Sequence, residues 1–138
     1  MINESIKIVS AGILRDGNKI LLARRSMNGS VGGKWEFPGG KKESGETIEE
    51  CLVREIKEEL NLKINVIGMI GESDYVYSHG SFRLIGIEAN VIDPLSIVLN
   101  VHDDYKWIDI ADLLSYDLAP ADIELAQMVV STFNHISS

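Results

Sequence analysis

Three glutamates, Glu55, Glu58 and Glu59, follow a glycine-rich stretch, Gly39-Gly40-Lys41-Lys42-Glu43-Ser44-Gly45-Glu46. The segment between, Thr47 to Leu60, reads as a helix: Thr47 with Glu50 three residues on forms a capping box, no Gly or Pro interrupts, and Asn61 can take the left-handed C-terminal position. At 100° per residue Ile48, Cys51 and Leu52 make an apolar stripe, and the same stripe continued along the helix reaches Glu55, Glu58 and Glu59. The core-facing side therefore changes from hydrocarbon to carboxylate halfway along.

Like charges at i, i+3 and i+4 repel, and unpaired buried carboxylates cost roughly several kcal/mol each unless they neutralise or a cation sits among them. All-oxygen ligands suit a hard divalent ion, Mg2+ or Mn2+, whose shell is completed by water and substrate phosphate. The glycines let backbone carbonyls and amides approach a ligand that side chains would block. A solvated acidic helix face is the plainer reading, but it leaves the loop and the switch within the stripe unexplained.

The segment resembles the signature box of the Nudix hydrolases: Gly, five residues, Glu, seven residues, Arg-Glu, an aliphatic, any residue, Glu-Glu, any residue, Gly, aliphatic. Gly40, Glu46, Arg54, Glu55, Ile56, Glu58, Glu59 and Leu62 meet it. Asn61 stands where the family has Gly, a substitution expected to cost a little helix stability and no chemistry. Arg24-Arg25 and Trp35-Glu36-Phe37-Pro38-Gly39-Gly40 are similar to stretches of the MutT branch, which hydrolyses nucleoside triphosphates; Leu118-Ala119-Pro120-Ala121-Asp122-Ile123 is similar to the tail of members acting on cytidine triphosphates and oxidised nucleotides.

The resemblance implies an enzyme with the α/β/α sandwich of the Nudix fold, a mixed sheet between helices, that cleaves a phosphoanhydride bond: a nucleoside triphosphate such as 8-oxo-dGTP, CTP or dCTP gives monophosphate and pyrophosphate, cleansing the nucleotide pool. ADP-ribose or a dinucleoside polyphosphate is the alternative substrate, and a nucleotide sensor without turnover the alternative class. It implies Mg2+, with Mn2+ possible, on Glu55, Glu58, Glu59 and the Gly39 carbonyl, a general base that is either Glu55 or Glu58, and a Glu46–Arg54 pair that with Gly40 braces the loop against the helix. Arg24 would contact phosphate, Phe37 would line the base pocket, and Asp122 would read the base edge. Many relatives add a Glu six residues before a Trp; counting back from Trp107 gives Val101. Asp103 or Asp104 is then the stand-in, or the helix carboxylates work alone, and His102 reads as an exposed loop histidine.

The elements that must position these groups follow from pattern. Ser5–Leu14 and Lys19–Arg25 read as strands around an Asp16-Gly17-Asn18 turn, and Ser26–Gly33 as a loop. Lys63–Gly71, Ser73–Ser78 and Phe82–Ile92 look extended, with a turn at His79-Gly80-Ser81. Asp93 to His102 is irregular at its ends, Tyr105–Ile110 is a short strand, Ala111–Leu114 a helical turn, and Pro120–His135 an amphipathic helix with Pro in its first turn.

The chain has 138 residues and is 45% hydrophobic, the profile of one globular domain spanning residues 1–138. No apolar run nears the roughly 18 residues of a membrane span, and the N-terminus lacks a basic signal-peptide start. A single cysteine permits no internal disulfide, so a reducing cytoplasm is the natural compartment, and Cys51 reads as core filler. A net charge of −8 argues against long nucleic acids. Eleven of the thirteen basic residues nonetheless lie between Lys7 and Lys63, around the loop, which suits a small anionic nucleotide. Monomer and homodimer both remain open.

Overall fold

The computed structural model describes residues 6–25, 32–78 and 80–134. In chain order these form β1 (Lys7–Asp16), β2 (Lys19–Arg25), β3 (Trp35–Glu36), α1 (Ile48–Leu60), β4 (Ile64–Tyr77), β5 (Gly80–Val91), β6 (His102–Asp109), 3-10 turns at Ile110–Ser115 and Pro120–Asp122, and α2 (Ile123–Asn134). The sheet runs β3-β2-β1-β5-β4 with β6 on the other side of β2; β1 and β5 are parallel and the remaining pairs antiparallel. It is the expected mixed sheet between helices.

Both faces of the sheet are buried, so its central strands read as apolar runs rather than alternations. Ile13, Ile20 and Leu22 point into the cluster built with Leu125, Ala126 and Val129 of α2. Leu14 and Leu21 point the opposite way, onto Leu52, Ile56 and Leu60 of α1. The chain thus has two cores, and α1 is the lid of one of them.

Helix α1 begins as its sequence dictates. Thr47 accepts from the Glu50 N–H at 3.1 Å while the Glu50 carboxylate accepts from the Thr47 N–H at 2.8 Å. It ends on Asn61 at φ 57°, ψ 35°, whose N–H donates to the Lys57 carbonyl.

Four expectations shift. β4 is one continuous strand: no break occurs at Glu72, and register slips at Val66/Gly68 and Met69/Gly71 absorb the irregularity instead. β6 begins at His102 rather than Tyr105, and β5 starts at Gly80 where a turn was expected. The last helix opens with a 3-10 turn at Pro120–Asp122 and is α-helical from Ile123. Ser5, most of the Ser26–Gly33 loop, His79 and His135 lie outside the described residues.

Left-handed backbone costs a side chain with a Cβ roughly 1–2 kcal/mol, less for Asn because its amide can bond locally. Here the Asn61 Oδ1 accepts from Lys57 Nζ at 3.1 Å. Asn61→Ala should therefore destabilise the protein by about 1 kcal/mol in denaturant titration, and Asn61→Gly should leave it at or above wild type.

Candidate active site

The loop Pro38–Lys42 owes its course to β1. Gly12 N–H donates to the Pro38 carbonyl at 2.6 Å, Ser10 N–H to Gly40 at 2.8 Å, and Lys42 N–H to Ile8 at 2.8 Å, so the loop runs beside the strand as though it were another. Glycine is required twice. A Cβ on Gly39 would stand 2.1 Å from the Ser10 carbonyl oxygen, and one on Gly40 would stand 2.5 Å from both carboxylate oxygens of Glu55. The Glu55 carboxyl fills the hollow left by the missing side chain. Ser10 Oγ lies 3.2 Å from the Gly40 carbonyl and Cys51 Sγ 3.4 Å from Ser10 Oγ, closing the loop from below. Burial pushes the Cys51 thiol up, in keeping with a packing role.

Arg54 supplies the positive charge. It meets Glu46 through Nη2 at 2.8 Å and Nε at 3.1 Å, and donates to the Lys41 carbonyl at 3.1 Å, tying loop to helix. Its Nη1 reaches Glu55 at 3.1 Å and Glu58 at 3.4 Å. The Arg54 hydrogen bonds draw the Glu46 carboxyl down to about 2.

The three helix carboxylates differ. Glu58 is exposed, Glu55 is half-buried with its pKa raised by burial, and Glu59 is pushed up to about 8 by burial and then by the charges of Glu55 and Glu36. Glu59 Oε1 is buried with no partner. A buried acceptor without a donor is what a cation ligand looks like when protein groups alone are considered. Among the described residues no hydrogen bond ends on the Gly39 carbonyl, and no three acidic, His or Cys side chains close into a cage. An incomplete all-oxygen set fits a Mg2+-sized ion that keeps places for water and phosphate. Gly39, Glu55, Glu58 and Glu59 are the groups that could hold it.

Beside this cluster opens a cavity of about 320 Å3, at the small end of the range for ligand pockets. Phe37, Tyr75 and Phe82 supply aromatic walls and Asp122 its polar floor. Asp122 is buried, accepts from the Phe37 N–H through Oδ2 at 2.7 Å, and is pushed up to about 7 by burial. Phe37 belongs to the core cluster and also lines this cavity.

Arg24 is elsewhere. Strand pairing sets it opposite Trp35, which packs into the core on the α2 side, so Arg24 projects from the face away from α1. There it is paired with Asp103 at 2.9 Å. The neighbouring Arg25 lines the cavity. Alternation guarantees that one of two adjacent arginines faces each way; only the register decides which. Asp103 is thus spent on Arg24, Asp104 accepts from the Tyr105 N–H, and His102, expected as an exposed loop residue, is buried against Glu36.

The NUDIX domain profile matches residues 6–129. The chain belongs to the Nudix family. It is 39% identical over 127 residues to the CTP pyrophosphohydrolase of Escherichia coli (strain K12), covering 88% of this chain and 89% of that one. A putative 8-oxo-dGTP diphosphatase 2 of Mycobacterium tuberculosis is 32% identical over 120 residues, covering 84% and 82%. In structure, the E. coli ORF135 protein superposes with a TM-score of 0.81 at 31% identity, over 95% of this chain and 92% of the other. This Nudix chain is a hydrolase of nucleotide phosphoanhydrides, and the family generally uses divalent metal ions.

Two predictions follow from this geometry. Gly40→Ala can be accommodated by swinging the Glu55 carboxyl aside, so hydrolytic turnover should fall at least about 100-fold while the melting temperature changes by only a few degrees. Glu59 and Asp122 hold their protons to higher pH in the fold than in the unfolded chain, so the stability they contribute is complete below their unfolded values, 4.5 and 3.8, and is lost as pH rises to about 8 and 7. Metal-free protein should therefore lose melting temperature between about pH 5 and about pH 9; Glu59→Gln should flatten that fall, and Mg2+ should offset it most at the alkaline end.

Proposed function

We propose that this Nudix hydrolase is a Mg2+-dependent nucleoside triphosphate pyrophosphohydrolase, releasing nucleoside monophosphate and pyrophosphate from a pyrimidine triphosphate or an oxidised purine triphosphate in the cytoplasm, and so cleansing the nucleotide pool. The observation that carries it is adjacency: a half-open cavity with aromatic walls and the buried Asp122 carboxyl is lined also by Gly39 and Gly40, the loop residues against which the Glu55 carboxyl of the acidic helix packs. A base in the cavity sets its phosphates over the carboxylates. Relatives that match 88% and 84% of this chain are named for CTP and 8-oxo-dGTP, which supports the same substrate class, while one that matches 74% of it is named an ADP-ribose pyrophosphatase, the alternative that the substrate panel below separates.

Gly39, Glu58 and Glu59 would hold the ion together with Glu55. When bound, Mg2+ neutralises phosphate oxygens and lowers the pKa of a coordinated water. The chain supplies the remainder. Glu55 takes the proton of the attacking water as its oxygen bonds to phosphorus and the bridging P–O bond breaks. Of the two candidates Glu55 is favoured because burial raises its proton affinity while Arg54 holds one of its oxygens at 3.1 Å, leaving the other free. Arg54, braced by Glu46, keeps that carboxyl under Gly40. Arg25, on the cavity wall, takes the phosphate contact first ascribed to Arg24. Phe37 stacks on the base. Asp122 accepts from an exocyclic amine as a carboxylate and donates when protonated, so its raised pKa admits bases of either pattern.

Pyrophosphate release from a panel of 8-oxo-dGTP, dGTP, CTP, dCTP, ADP-ribose and diadenosine polyphosphates with Mg2+ should single out a triphosphate. Glu55→Gln and Glu58→Gln should each lower turnover by orders of magnitude and move the Mg2+ titration midpoint to higher Mg2+, and at saturating Mg2+ the Glu55→Gln loss, about 10²–10⁴ in kcat, should persist as the larger of the two. Full activity in both variants, or turnover confined to ADP-ribose, contradicts this assignment.

A further inference from the structure

The reaction above leaves Glu36 and His102 without a task, although Glu36 lines the cavity and His102 is hydrogen-bonded to Glu36. Glu36 lines it beside Arg25, whose Nη1 lies 3.4 Å from Glu36 Oε1. His102 is 7% exposed and sets its Nε2 2.8 Å from Glu36 Oε2, while its Nδ1 is buried without a partner among the described residues.

A slip in register puts the histidine there. β2 pairs with β6 through Ala23–Tyr105 and Arg24–Asp104, and an unbroken ladder would next set Asp103 opposite Arg25. Instead His102 stands opposite Arg25. Residues paired across an antiparallel ladder share a face, and Glu36, paired to Ala23 from β3, shares it too. Without the slip a further carboxylate would face Glu36; with it an imidazole does, and Asp103 turns away to Arg24. Bulges recur beside active sites because they re-aim a side chain in this way.

Glu36 also occupies a definite place along a bound nucleotide. It lines the cavity together with Phe37 and Asp122, which face the base, and with Gly39 and Gly40 of the loop that abuts the Glu55 carboxyl, so the path from base to phosphates runs past its carboxylate. Between the base and the phosphates of a nucleotide is the sugar. A carboxylate only accepts hydrogen bonds, and hydroxyls are the donors that a sugar offers. With Oε2 occupied by His102 and Oε1 held only by the long Arg25 contact, one oxygen is left to receive such a hydroxyl.

We propose that Glu36 is a specificity-determining residue that accepts a hydrogen bond from a sugar hydroxyl of the nucleotide, and that His102 is the positioning residue that fixes the Glu36 carboxylate through its Nε2–H. This rests on the nucleotide assignment made above and extends it to the sugar. A hydrogen bond to a charged group is worth roughly 1.5–3 kcal/mol, on the order of 10- to 100-fold in binding.

The test compares the preferred nucleoside triphosphate with its 2′-deoxy, 3′-deoxy and 2′,3′-dideoxy analogues in wild type, Glu36→Ala, His102→Met and His102→Gln. Met fills space without a donor, whereas the Gln amide can donate from near the Nε2 position. In wild type, removing the contacted hydroxyl should lower kcat/KM at least about tenfold. That ratio should collapse to within about twofold in Glu36→Ala and His102→Met and return in His102→Gln, with the preference among bases unchanged in all four. A ratio unaltered in Glu36→Ala overturns the hydroxyl contact, and one unaltered in His102→Met overturns the positioning role. Equilibrium binding of α,β-methylene triphosphates with and without the hydroxyl is measured in parallel. Absence of wild-type turnover therefore counts against the proposed reaction, while equal wild-type affinity for the paired analogues counts against the sugar contact.

Discussion

Burying like charges together is the constraint from which the arrangement of this protein follows. Glu55 and Glu59 are drawn out of water on the turn of α1 nearest the glycine loop, and burial raises the proton affinity of each. Such a cluster persists only where the fold supplies compensation. Part comes from Arg54, which reaches Glu46, Glu55 and Glu58 with a single guanidinium, and part would come from a divalent ion. The apolar half of α1 makes the cost bearable, because Cys51, Leu52, Ile56 and Leu60 anchor the same helix into one of the two cores.

Glycine converts that constraint into a site. At Gly40 the absent Cβ leaves a hollow that the Glu55 carboxyl occupies, and at Gly39 it lets the loop press against the Ser10 carbonyl. Hydrogen bonds from Ser10 and Gly12 of β1 hold the loop as firmly as a strand. The carboxylates are therefore opposed by backbone rather than by a flexible wall, which is the pre-organisation that charge-stabilising catalysis needs. The cavity is tied to the same loop: Asp122 accepts from the backbone N–H of Phe37, two residues before Gly39.

Much of this was legible in the residues. The capping box, the left-handed Asn61, the change from apolar to acidic along α1 and the strand–turn–strand opening depend on neighbours a few positions apart, and local geometry brings them together wherever the helix or hairpin forms. The box motif added the fold, because its loop and helix recur within one architecture and the domain profile extends over residues 6–129.

What tertiary structure alone decided concerns faces and partners. Arg24 and Arg25 are equivalent in sequence; only the pairing of β2 with β3 and β6 sends Arg24 to Trp35 and Asp103 and leaves Arg25 at the cavity. His102 looked like a loop residue because nothing near it in the chain announces a bulge, and its partner Glu36 is 66 residues away. A one-residue slip inverts every side chain beyond it, and the energy of that choice is settled by packing and by charges drawn from distant strands. The residues along the chain thus set which helix carries the carboxylates and which loop confronts them, while assembly of the sheet settled which other side chains share their space.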